Sequence, residues 1–161
     1  MGSRSTPATL FLDRHGVTYR THGYELAGEN AAASYGEAVA AELGVPPAQL
    51  FKTLVALVDG RPVVAVVPVD RQLRPKSLAS AAGGSRARLA EPADAERLTG
   101  YVTGGISPFG QRRRLPVFAD GTLLEHATVF VSGGRRGLQL EVAPGDLVAL
   151  LEVALVEGLG G

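Results

Sequence analysis

The sequence predicts an α+β fold in one domain, on three observations. Two apolar runs, residues 51–58 and 62–67, are separated by little more than Asp59 and Gly60, a hairpin signal. Helical patterns fall irregularly between the strands instead of alternating with them as in a doubly wound sheet. The 161 residues, 45% of them hydrophobic, suit a single core.

In chain order, Thr6 and Pro7 ahead of Leu10, Phe11 and Leu12 read as a capped first helix that stops near His15 and Gly16. Residues 17–22 alternate like a short strand, and 23–34 have the polar and small residues of a loop. Val39 and Leu43, four apart, predict a helix over 35–43 closed by Gly44. One helical turn is expected at 47–49. The two apolar runs follow as strands, the second buried. Residues 75–82 are a helix candidate ended by Gly83 and Gly84, 87–89 a short strand and 92–98 a short helix. Gly104, Gly105, Pro108 and Gly110 mark a loop. Strands are expected at 116–119 and 127–131, with a turn at Asp120 and Gly121. Gly133, Gly134 and Gly137 make a tight basic turn. It leads into a half-buried strand in which Leu138, Leu140 and Val142 alternate with Gln139 and Glu141. A last helix is expected over 144–156.

Composition excludes several function classes. Sixteen basic residues balance sixteen acidic ones, which argues against a protein that coats DNA through excess cations. With no cysteine there is no thiolate nucleophile, no disulfide and no thiolate-bound metal. His15, His22 and His126 are far apart in the chain and lack the helical spacing of a zinc pair. No nucleophile elbow, P-loop or dinucleotide fingerprint is present. No metal and no cofactor are expected. The first residues carry no leader-like apolar run, and no stretch approaches the ~20 residues of a membrane span. A cytoplasmic location without a membrane partner is therefore expected.

Three features carry chemistry. Lys52 interrupts an otherwise apolar strand in which only Thr53 shares its polarity. It is either a solvent-facing or snorkelling lysine or a cation lining a pocket for a carbonyl, carboxylate or phosphate. Gly104 and Gly105 let backbone N–H groups approach a ligand and hold a developing oxyanion, or they simply make a turn. Ser107 either donates to a ligand or caps that turn. Lastly, Ser132, the glycines after it and Arg135 and Arg136 form an anion nest or a solvated hairpin turn. Arg112, Arg113 and Arg114 follow the glycine loop, so five arginines flank the two glycine turns and suit a phosphate-bearing partner.

Phe51-Lys52-Thr53-Leu54, residues 99–111 with Arg114-Leu115-Pro116, and residues 131–138 occur here in one order, with Thr6-Pro7-Ala8 and His22-Gly23-Tyr24 at the amino end. This ordered set resembles the YbaK/EbsC family of trans-editing deacylases from about residue 6 to residue 151. A domain over 6–156 is expected, with 1–5 and the glycine-rich 157–161 flexible, and the resemblance implies a mixed β-barrel-like core with helices packed outside. It implies kinship with the editing domain of bacterial prolyl-tRNA synthetases and hydrolysis of the ester joining an amino acid to the tRNA 3′ adenosine. Cys-tRNA(Pro) is then the expected substrate. Ala-tRNA(Pro), or a non-catalytic tRNA- or protein-binding role, is the alternative. The 3′ end of aminoacyl-tRNA is the implied partner, with prolyl-tRNA synthetase a further one.

By the same resemblance Lys52 and Gly104 are catalytic, Gly104 through its backbone N–H. Tyr24, Tyr35, Thr53, Ser132 and Gln139 contact the substrate; the residue patterns themselves add Gly105 and Ser107 as substrate contacts and Arg112, Arg113, Arg135 and Arg136 as contacts to tRNA phosphates. Tyr35 stands where phenylalanine is common. Gln139 stands where the YbaK branch usually has aspartate, which bears on amino-acid preference more than on reaction class. The substrate cysteine's own sulfur attacks its ester in that branch, so no protein nucleophile is needed.

Overall fold

Local chemistry opens the chain at Thr6. Its side chain accepts the Thr9 N–H at 3.2 Å while the Thr9 hydroxyl accepts the Thr6 N–H at 2.9 Å. This reciprocal cap starts helix α1 (Pro7–Arg14). Pro7, at the first helical position, has no N–H to leave unpaired. The Thr6 hydroxyl also donates to the Gly133 carbonyl at 2.6 Å, joining the helix start to a turn 127 residues away. Ala8 and Leu12, one turn apart, are fully buried. In this computed structural model residues 5–26 and 35–161 are described. The expectations for residues 1–4 and for the loop through 27–34 lie outside them.

Strand β1 (Tyr19–Gly23) and helix α2 (Tyr35–Leu43) precede a 3₁₀ turn at Pro47–Gln49. Strands β2 (Phe51–Val58) and β3 (Arg61–Pro68) then pair antiparallel over their full length, from Phe51 opposite Pro68 to Val58 opposite Arg61. Asp59 and Gly60, with φ of 50° and 83°, adopt the two left-handed conformations of a tight hairpin. Helix α3 (Pro75–Ala81), strand β4 (Ala87–Leu89) and helix α4 (Pro92–Thr99) follow. After the glycine loop come β5 (Val117–Asp120), a 3₁₀ turn at Gly121–Glu125, β6 (Val129–Ser132), β7 (Leu138–Val142), α5 (Pro144–Leu151) and β8 (Ala154–Val156).

The strands form two sheets, β1-β7-β6 and β4-β2-β3-β5-β8. The first is antiparallel. In the second, β4, β2 and β3 are antiparallel while β5 and β8 add on in parallel. A bridge between Leu50 and Phe130 links them. The α+β class and the helices packed outside the sheets agree with expectation. The barrel-like core is instead two sheets facing one buried cluster that includes Phe51, Val64, Phe109, Val131 and Leu140. Residues 63–67 of β3 are buried on both faces, as a continuous apolar run requires.

Two expectations at the carboxyl end are corrected. The last helix stops at Leu151, because Glu152 turns left-handed with φ 52° and its N–H closes on the Val148 carbonyl. Residues 154–156, read as helix, pair with β5. Residues 157–161, read as flexible, are packed. Leu159 is fully buried, and Gly161 and Gln72 exchange backbone hydrogen bonds.

Asp120 anchors that tail. Its carboxylate accepts the Gly160 N–H at 2.9 Å and the Thr122 hydroxyl at 2.6 Å. Burial alone would raise its pKa, but the hydrogen bonds from Thr122 and Gly160, with Arg71 nearby, outweigh it and hold the carboxyl below the usual range. A depressed folded pKa adds stability above the unfolded value of about 4, lost as pH falls further through the folded value. Asp120→Ala is therefore expected to cost about 2 kcal/mol at neutral pH by urea unfolding and to flatten the acid limb of stability below about pH 4. Unchanged midpoints at pH 7 would rule this anchor out.

Candidate active site

The site follows from an unequal edge. β2 pairs with β3 along its whole length but with β4 only at Ala56–Val58. The first half of β2 therefore has an open edge, and a cavity of about 420 Å³ lies against it. Residues from both faces of the strand line it, among them Lys52, Thr53 and Leu54. Val39 of α2, Leu89 at the end of β4, Ala90 just after it, and Ile106 supply apolar walls.

Another wall comes from the two glycine turns, which pack on each other. A Cβ on Gly105 would sit 2.7 Å from the Arg135 Cα, so the backbones meet only because that side chain is missing. Gly104 has φ 90°, and a Cβ there would meet Arg136 Nε at 2.5 Å. The Gly105 N–H bonds the Val102 carbonyl at 2.9 Å. The Thr103 N–H donates to the Glu96 carboxylate at 2.8 Å, which holds that carboxyl below its ordinary pKa. Gly104 lines the cavity. Its N–H is the one amide of residues 103–105 to which no partner falls among the described residues.

Electrostatics reinforce this geometry. Burial against the cavity wall lowers the Lys52 pKa, with the charges of Glu37 and Asp70 opposing the shift. Neither acid lines the cavity, and the charged residues among the described ones that border it are two cations, Lys52 and Arg136. The Thr53 hydroxyl and the Gln139 amide oxygen, on residues 9% and 5% exposed, have no hydrogen-bond partner among the described residues. Both line the cavity. A buried unpaired acceptor costs free energy until a ligand supplies a donor. Tyr35, also at the cavity, shares a 2.6 Å hydrogen bond with Tyr24 and carries the Arg136 guanidinium 5.2 Å from its ring centre.

The expected residues are therefore only partly assembled. Lys52, Thr53, Gly104, Ser132, Gln139, Tyr35 and Arg136 share one cavity. Tyr24 reaches it through Tyr35. Gly105 does not line it but makes the backbone approach possible. Ser107 is a correction. It is fully buried, its hydroxyl accepts the Phe109 N–H at 3.2 Å, and it caps the turn. Arg112 and Arg113 are exposed and absent from the cavity wall, with their backbone N–H groups donating to the Thr99 and Leu98 carbonyls. Arg135 is exposed beside it. Glu96 was missed, since a single acid on a helix carries no signal of the peptide it will hold. None of the three histidines lines the cavity.

Comparison with known proteins gives the family. Residues 29–150 match the model of the aminoacyl-tRNA editing domain. An Enterococcus faecalis protein named "Putative Cys-tRNA(Pro)/Cys-tRNA(Cys) deacylase EbsC" is 33% identical over 148 residues, 91% of this chain and 88% of its own. The Escherichia coli "Multifunctional Ser/Thr-tRNA deacylase ProXp-y" is 36% identical over 118 residues, 71% of this chain and 67% of its own. A solved structure described as "a putative trans-editing enzyme for prolyl tRNA synthetase" superposes with a TM-score of 0.77 at 24% identity, covering 96% of this chain and 99% of the other, and shares its fold. An open strand edge bearing Lys52, faced by a glycine turn with an unpartnered amide, thus belongs to a sequence that the family model spans for most of its length, and the chain is a member of the aminoacyl-tRNA editing domain family.

Proposed function

We propose that the protein is a trans-editing hydrolase that clears a small amino acid from mischarged tRNA. The observation that carries this is the unpartnered Gly104 N–H in the wall of a cavity that also holds Lys52. The ester carbonyl oxygen lies against the Gly104 N–H, which stabilises the negative charge that develops when the carbonyl is attacked. The half-buried Lys52 ammonium holds the carbonyl or the terminal ribose-phosphate, and its charge counts for more in the apolar cavity than in water. When the amino acid is cysteine its own thiol attacks the carbonyl, gives its proton to the leaving oxygen and forms a thiolactone that water then opens; otherwise water attacks and supplies that proton. The acyl–oxygen bond breaks and the ribose oxygen leaves with a proton.

EbsC makes Cys-tRNA(Pro) the first substrate to test, with Ala-tRNA(Pro) beside it. Selection of the tRNA falls to the exposed arginines Arg112, Arg113 and Arg135 and to prolyl-tRNA synthetase as partner. No helix of the described residues is long and apolar enough to cross a membrane. The proposed site of action is the cytoplasm, where aminoacyl-tRNA is used.

Purified protein incubated with Cys-tRNA(Pro) and Ala-tRNA(Pro) is expected to release at least one amino acid faster than buffer. Release of neither would overturn the deacylase reading. Lys52→Ala is expected to lower that turnover by about 100-fold or more with an unchanged melting temperature. Normal turnover by the alanine variant would remove Lys52 from the chemistry. Gln139→Asp places a carboxylate where a neutral acceptor now lies, and it is expected to change the relative rates on cysteinyl, alanyl and seryl esters by about tenfold. An unchanged order and spread of rates would exclude Gln139 from selection of the amino acid.

A further inference from the structure

The sequence groups Arg136 with the phosphate-binding arginines, but its contacts are of another kind. Its Nε donates to the Thr103 carbonyl at 3.1 Å. That carbonyl and the Gly104 N–H are the two ends of one peptide unit, which is planar. Anchoring the oxygen therefore sets the direction of the N–H at the opposite end. The guanidinium also lies 5.2 Å from the centre of the Tyr35 ring, which Tyr24 holds by its hydroxyl at 2.6 Å. A Cβ on residue 104 would stand 2.5 Å from the same Nε, so glycine at this position is what lets Arg136 approach. Arg135 differs. Both residues are exposed, but among the described residues the Arg135 guanidinium donates only to the Arg136 carbonyl, at 3.3 Å.

The geometry points to Arg136 as a positioning residue for the Gly104 amide, one that fixes and polarises the Thr103–Gly104 peptide unit and does not serve as a phosphate contact. This rests on the deacylase reading for its consequence, but the contact itself does not. A hydrogen bond received at the carbonyl strengthens the N–H of the same amide as a donor. The charge of Arg136 then reaches the ester oxygen through the backbone. The Glu96 bond to the Thr103 N–H and the Gly105 bond to the Val102 carbonyl hold the peptide units on either side. Among the described residues, Arg136 supplies the only side-chain hydrogen bond to the unit between them.

The two roles separate in kinetics. For Arg136→Ala a positioning role predicts a fall in kcat of about ten- to a hundredfold, with KM within about threefold of the parent and an unchanged slope of log KM against log salt. Arg136→Lys keeps the charge without the flat fork that both donates and stacks, so it is expected to lose kcat as well. A phosphate contact predicts the reverse: kcat kept, KM raised, the salt slope reduced by about one in the alanine variant and restored by lysine. That outcome overturns the proposal. A second measurement is independent of turnover. The Gly104 amide order parameter from nitrogen relaxation is expected to fall from about 0.85 towards about 0.6 in Arg136→Ala, at an unchanged melting temperature. An unchanged order parameter overturns the proposal whatever the kinetics show. If the parent protein hydrolyses no ester, the deacylase reading fails and the order parameter alone decides the role of Arg136.

Discussion

The close approach of two glycine turns is the constraint on which the site depends. Backbone meets backbone at Gly105 and Arg135, at a separation that a single methyl group would forbid. Several features follow from that contact. Arg136 can reach the Thr103 carbonyl. Ser132 and Gln139, opposite each other on neighbouring strands, are brought to the same cavity as Lys52 from the other sheet. Thr6 ties the first helix to Gly133 in the second turn, so the amino end of the chain helps to hold the turn in place. The cavity is thus a seam between two sheets, closed by turns and open along one strand edge.

What the sequence made legible was local. The β2–β3 hairpin could be read because Asp59 and Gly60 tolerate the left-handed conformations its turn requires. The first helix could be read because Thr6 and Pro7 both favour a helix start. The end of α5 could not, since Glu152 turns left-handed without being a glycine and β8 is defined by its pairing with a distant strand. Leu159, set among glycines, looked like a frayed tail. It packs with Phe118 and Leu78, and its neighbour Gly160 is held by Asp120, 40 residues earlier, so no local window of sequence shows the contact.

The site was legible to the same degree. A lysine inside an apolar strand and a pair of adjacent glycines are local anomalies, and Lys52 and Gly104 fall at the cavity. Ser107 was misread because a hydroxyl that caps its own turn has the same sequence signature as one that meets a ligand. The five arginines could not be told apart by composition. All five are exposed and only their contacts separate them: Arg114 pairs with Glu152 at the surface, and Arg136 alone among them lines the cavity. The unpartnered oxygens of Thr53 and Gln139 are also invisible in sequence, because burial without a partner is a property of the folded neighbourhood.

The pairing of β1 with β7 has a consequence for how the molecule is made. Tyr19 lies opposite Val142, and Thr6 binds a carbonyl 127 residues further along the chain. A ribosome adds roughly 5–20 residues per second, so the amino-terminal strand waits many seconds for its partner to be synthesised. The β2–β3 hairpin, by contrast, can close as soon as it emerges. The three-stranded sheet, the glycine turns and therefore the cavity can form only once β7 has been made, long after the β2–β3 hairpin.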